Sequence, residues 1–140
     1  MTETINTNAD FQNYQKAASA YQSSSTGDLN GFEIVVELYK GILKNIEAAK
    51  TAYQAGELEE MVRLNDKTNK ILVALQSHLN FEQGGEAAIF LNSFYNQIFA
   101  RIVRVLRVDD TAAEYDQIAE AVKPVYEIWC THATNSRSVN

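Results

Sequence analysis

Proline occurs once and glycine six times in the 140 residues, fewer than a protein of sheets and tight turns uses, and that scarcity points to helices. Cysteine occurs once, as Cys130, which excludes an internal disulfide and leaves nothing that calls for an oxidising compartment. Only two histidines are present, and Leu75 and Trp129 stand three residues before His78 and His132, so the Glu-x-x-His pairs of a di-metal carboxylate bundle are missing. Cys130 and His132 are two residues apart and point to nearly opposite sides of a helix, so they cannot share a metal. Positive charge is short as well: 12 lysines and arginines against 18 aspartates and glutamates give a net charge of −6, which repels nucleic-acid phosphates. The nearest thing to a basic face is Arg101, Arg104 and Arg107, at the end of a predicted helix where cations offset the macrodipole. No apolar run reaches the length of a membrane span, and residues 1–10 lack the basic-then-apolar order of a secretory signal. A cytoplasmic protein that does not insert into membranes is expected. With no haem-attachment motif, phosphate-cradling glycine loop or nucleophile elbow, the sequence is not read as an enzyme, and it calls for no cofactor or metal.

What the sequence does contain is helical periodicity. A hydrophobic content of 46% over this length is enough for one core, so one domain is expected across residues 1–140, with disorder at 1–10 and 134–140. Phe11, Tyr14, Ala17, Ala18 and Tyr21 make a short amphipathic segment, and the run Ser23, Ser24, Ser25, Thr26, Gly27 behind it reads as a flexible link. A first long helix is predicted from near residue 31, opened by Asn30 with Glu33, striped by Val35, Leu38, Ile42, Ile46, Ala49 and Tyr53, and closed by Gly56. A second carries Leu58, Met61, Leu64, Thr68, Ile71, Leu72, Leu75 and Leu79 to about Asn80. A third runs from about Gly84 to Val108. The fourth opens at Thr111 with Glu114 as a capping box, and Tyr115, Ile118, Val122, Tyr126 and Trp129 form its stripe. Pro124 within it removes an amide and predicts a kink. Short connections make neighbours antiparallel. The expected fold is all-α: an antiparallel four-helix bundle with a short mobile N-terminal helix.

The third long helix holds more apolar surface than a bundle core requires. Phe90, Leu91, Phe94, Tyr95, Ile98, Phe99, Ile102, Val103, Val105 and Leu106 cover an arc of about 220° at about 100° per residue, roughly twice an ordinary amphipathic stripe. Either the chain buries this helix centrally, or the surplus is covered by self-association or by a partner helix lying in a groove that the front segment shields when it is unoccupied. Gly84 and Gly85 also have two readings, a tight interhelical turn or a place where another backbone comes close. On the groove reading the partner site is the seam formed by Leu72, Leu75 and Leu79 on one side and Gly84, Gly85, Ala88, Leu91, Tyr95 and Ile98 on the other, with Tyr14 and Tyr21 contributed by the front segment.

Several blocks carry a family likeness. Glu82-Gln83-Gly84-Gly85-Glu86-Ala87-Ala88, followed by Leu91 and Phe94-Tyr95, is similar to the Gly-Gly-Glu-Ile-Ala run and later Leu-Tyr pair of the FliS family of flagellar secretion chaperones. Leu38-Tyr39-Lys40-Gly41, Gln54-Ala55-Gly56-Glu57, Asn69-Lys70-Ile71-Leu72 with Leu75 and Leu79, and Trp129 extend the resemblance over about residues 12–132 in the family's order. The chain departs from the family's pattern at Asp28-Leu29-Asn30-Gly31, where Ser-Pro is usual, at Lys40 and Asn96, where acidic residues are usual, and at Pro124. The resemblance implies a cytoplasmic chaperone that grips the C-terminal segment of flagellin, prevents premature polymerisation and presents it to the flagellar export apparatus. It implies no cofactor. The alternative is a helical module that uses the same surface for homodimerisation or for another secreted protein.

Overall fold

The computed structural model describes the backbone of residues 31–139 and the side chains of residues 33–131. Within it lie four α-helices, α1 (Gly31–Gln54), α2 (Leu58–Ser77), α3 (Phe81–Val103) and α4 (Thr111–Val139), with a 3₁₀ turn at Val105–Arg107 before α4. The all-α bundle expected from periodicity is the fold observed. The amphipathic front segment with Tyr14 and Tyr21, and the Asn30 cap, lie outside the described residues.

Each helix end follows from local chemistry. Gly56 adopts φ 78°, and the amides of Gly56 and Glu57 donate to the carbonyls of Tyr53 (3.0 Å) and Ala52 (2.8 Å). This is the Schellman closure that satisfies the last carbonyls of α1. Helix α3 begins three residues before the expected Gly84, because the Asn80 side chain accepts from the amides of Glu82 and Gln83 and caps the helix there. It ends at Val103, earlier than the expected Val108, as the chain tightens into the 3₁₀ turn. Gly85, at φ 54° and ψ −129°, breaks the helical path one turn in.

The start of α4 falls where expected, yet Thr111 and Glu114 do not form a capping box. Asp110 caps the helix by accepting from the Ala113 amide at 3.0 Å, while the Thr111 hydroxyl donates to the Val105 carbonyl at 2.8 Å and ties the 3₁₀ turn down. Glu114 is drawn to Arg101 instead. Helix α4 continues through Pro124 to Val139, into the polar tail. Pro124 and Glu120 are both exposed, so the carbonyl that loses its amide donor lies on the solvent side.

Helix α1 packs between α2 and α4, and α3 packs against α2 while its Tyr95 reaches Tyr39 of α1 and its Arg101 reaches Glu114 of α4, which closes the bundle. Gly41 permits the close approach of α1 and α2: a Cβ there would meet Ile71 Cδ1 at 3.1 Å. Trp129, Tyr39, Tyr95 and Tyr115 are the largest fully buried side chains. Tyr39 stands edge-on to Tyr95 and tilted against Trp129, both at ring-centroid distances of 6.2 Å. Trp129 is therefore a core residue.

A candidate partner-binding groove

The seam expected to hold a partner is largely interior. Leu72, Leu75, Ala88, Leu91, Tyr95 and Ile98 are each no more than 2% exposed, and Gly84 is buried as well. Leu79 and Gly85 are half-buried. In the folded bundle most of these side chains are covered rather than exposed. The reason is rotational: the stripe of α3 that faces α2 is the one α2 needs for its own core, so the surplus appears beside it. Gly85 is required by its backbone angles, since a Cβ there would meet nothing within 4 Å. The pair lies inside α3, after the connection from α2 at residues 78–80, so Gly85 serves a break within the helix rather than the turn between helices.

The surplus itself is real and lies one step around the same two helices. Of the ten apolar residues counted on α3 and the 3₁₀ turn, Leu91, Tyr95, Ile98, Ile102 and Val105 are buried, Phe94 and Phe99 are half-buried, and Phe90, Val103 and Leu106 are exposed. On α2, Val62 and Val73 are more than half-exposed or nearly so, at 55% and 50%. Because α2 and α3 run antiparallel, Val62 near the start of α2 faces Val103 near the end of α3.

There the two helices enclose a groove of about 270 Å³ with Met61, Ile102 and Val105 in its lining and Val62, Val103 and Leu106 at its rim. Asn65, Asp66 and Asn69 supply its polar side. The Asn65 side-chain oxygen accepts from the Tyr115 hydroxyl at 2.8 Å. Burial holds the Tyr115 phenol above its ordinary pKa, and this hydrogen bond partly opposes the rise. Asp66 is paired with Lys70 at 3.0 Å. The Asn69 side-chain oxygen is buried with no hydrogen-bond partner. Further along the same two helices, Gln76 Nε2 donates to the side-chain oxygens of Asn92 (3.1 Å) and Asn96 (2.6 Å).

The three arginines expected as a helix-end cluster have separate surroundings. Arg101 makes a two-pronged pair with Glu114 (2.8 and 3.0 Å) and also reaches Gln117, Arg104 caps α3, and Arg107 lies in the 3₁₀ turn. Among the described residues no group of three histidine, cysteine, aspartate or glutamate side chains is placed to hold a metal ion, and no helix is long and apolar enough to cross a membrane. The sequence signal for the groove was present in Val62, Val103 and Leu106. Only the relative rotation of α2 and α3, which periodicity does not fix, separates them from the core stripe.

Fold and groove together define an all-helical protein with an apolar surface suited to another polypeptide. The pattern of the family described as flagellar protein FliS matches residues 13–136, and the chain belongs to that family. It is 25% identical to the flagellar secretion chaperone FliS of Campylobacter jejuni over 113 residues, covering 81% of this chain and 88% of the relative. It is 28% identical to the flagellar secretion chaperone FliSB of Pseudomonas aeruginosa over 118 residues, covering 81% and 93%.

Proposed function

We propose that this protein is a cytoplasmic export chaperone that binds the C-terminal segment of flagellin, prevents its premature polymerisation and hands it to the flagellar export apparatus. Family membership supports the chaperone class. The observation that carries the binding mode is the exposed apolar groove between α2 and α3, rimmed by Val62, Val103 and Leu106. Aliphatic rims of this kind take the apolar face of an amphipathic helix, with a few anchors supplying most of the affinity. On this reading the buried seam residues Leu72, Leu75, Leu91, Tyr95 and Ile98 hold the two helices at the spacing the groove needs, and Tyr14 and Tyr21 add contacts from the front segment.

Size-exclusion chromatography with light scattering, on the full chain with and without a C-terminal flagellin fragment, tests the reading. A complex of one chaperone with one fragment is expected. A chaperone that dimerises and ignores the fragment would instead make the groove a self-association surface and overturn the proposal.

A further inference from the structure

We infer that the groove reads a pair of features on its cargo: an aliphatic side chain seated among Met61, Val62, Ile102 and Val103, and a hydrogen-bond donor one to two helical turns away that pairs with the side-chain oxygen of Asn69. This deepens the proposal above and rests on it. A volume of about 270 Å³ falls below the roughly 300–1,000 Å³ typical of small-molecule pockets. The space therefore suits one or two side chains of a polypeptide.

The polar half of the inference comes from elimination among the groups in the lining. The Asn65 oxygen is already occupied by the Tyr115 hydroxyl, and the Asp66 carboxylate by the Lys70 ammonium. The Asn69 oxygen alone is buried and unpartnered, a state that native proteins generally avoid. Its terminal torsion is broad, so the amide can turn its oxygen toward an occupant. An acceptor asks for a donor: an asparagine, glutamine, lysine or arginine side chain on the cargo. Val62 and Asn69 are seven residues apart on α2, about 10 Å along the axis at about 1.5 Å per residue. A cargo helix lying along the groove spans that distance between positions i and i+7, with i+4 serving the nearer part of the apolar seat.

The test is calorimetric titration of the full chain and its Asn69→Leu and Asn69→Asp variants with a peptide of the cognate flagellin's C-terminal helical segment, and with peptides in which each donor residue in turn is alanine. Removing the acceptor in Asn69→Leu is expected to weaken binding about five- to tenfold, the effect of one net hydrogen bond, without lowering the melting temperature. Asn69→Asp keeps an acceptor and is expected to bind at least as well as wild type. One donor-to-alanine peptide should lose the same factor against wild type and nothing further against Asn69→Leu, the mark of a direct pair. Wild-type binding that is indifferent to both Asn69 variants overturns this inference alone. A lowered melt in Asn69→Leu with unchanged affinity does the same, by assigning Asn69 to the fold. Failure of the wild-type chain to bind the unmodified peptide overturns the flagellin reading and this inference together.

Discussion

The phenolic oxygens of Tyr39 and Tyr95 lie 2.8 Å apart inside the core and share a hydrogen bond across 56 residues of sequence. Tyr39 comes from α1 and Tyr95 from α3, so this bond joins the buried stripe of Leu91, Ile98 and Ile102 in setting the rotation of α3 about its axis. That rotation decides which apolar residues α3 buries and which it leaves at the groove.

Replacing either tyrosine with phenylalanine is expected to cost about 1 kcal/mol, the net value of a hydrogen bond. The double replacement should cost less than the two single ones added, because the bond can be lost only once. Urea unfolding of the four proteins measures the coupling. Strict additivity would show that the two hydroxyls do not depend on each other.

Leu91 on α3 and Leu106 in the 3₁₀ turn that follows it should behave oppositely. Leu91→Ala removes a side chain that is 0% exposed and is expected to cost about 2–5 kcal/mol of stability. Leu106→Asp and Val62→Asp change residues that are 52% and 55% exposed, so stability should stay within about 0.5 kcal/mol of wild type, with partner binding lost. Thermal melts beside binding titrations separate the two outcomes. A large stability loss in either groove variant would mean that the rim belongs to the core.

Gly85→Ala is expected to lower stability by about 1–3 kcal/mol, although the added methyl has open space, because φ 54° with ψ −129° is costly for any residue with a Cβ. A variant as stable as wild type would show that the first turn of α3 can reorganise into a regular helix.

The Arg101 guanidinium beside Glu114 holds that carboxyl below the ordinary glutamate range and is itself raised, in each case chiefly through the hydrogen bond between them. A carboxylate whose pKa is depressed by folding contributes stability that is fully present above its unfolded value, about 4.3, and is lost as pH falls through the lower folded value. The pair is partly exposed, at 29% and 14% for the two side chains, so its worth is about 1 kcal/mol or less. Glu114→Gln should therefore be less stable than wild type at neutral pH, and the gap should close on acidification below about 4. A gap independent of pH would place the stabilisation in packing.

Much of the fold was legible in the sequence because helical spacing and punctuation agreed. Gly56 closes α1 through its positive φ, α4 opens at Thr111, and Trp129 packs in the core, each where periodicity puts it. The α3 start was misplaced because Asn80 is a stronger cap than the glycine pair behind it is a signal. The capping box at Thr111 failed because tertiary partners, Val105 and Arg101, compete for the same side chains. The amount of surplus apolar surface on α3 was readable, whereas its direction was not. A wide apolar arc says how much surface exceeds the core's needs, but the choice between Leu91 and Leu106 depends on the neighbouring helix and on contacts such as Tyr39 with Tyr95.

The central claim, that the chain holds the flagellin C-terminal segment in the α2–α3 groove, is tested most directly by calorimetric titration of the full chain with that segment at several temperatures, repeated with Val62→Asp and Leu106→Asp. One-to-one binding with a negative heat-capacity change, as apolar surface is buried and the segment becomes helical, is expected for wild type, and little or no binding for both variants. Absence of binding by wild type, or binding that both variants retain in full, would contradict the account.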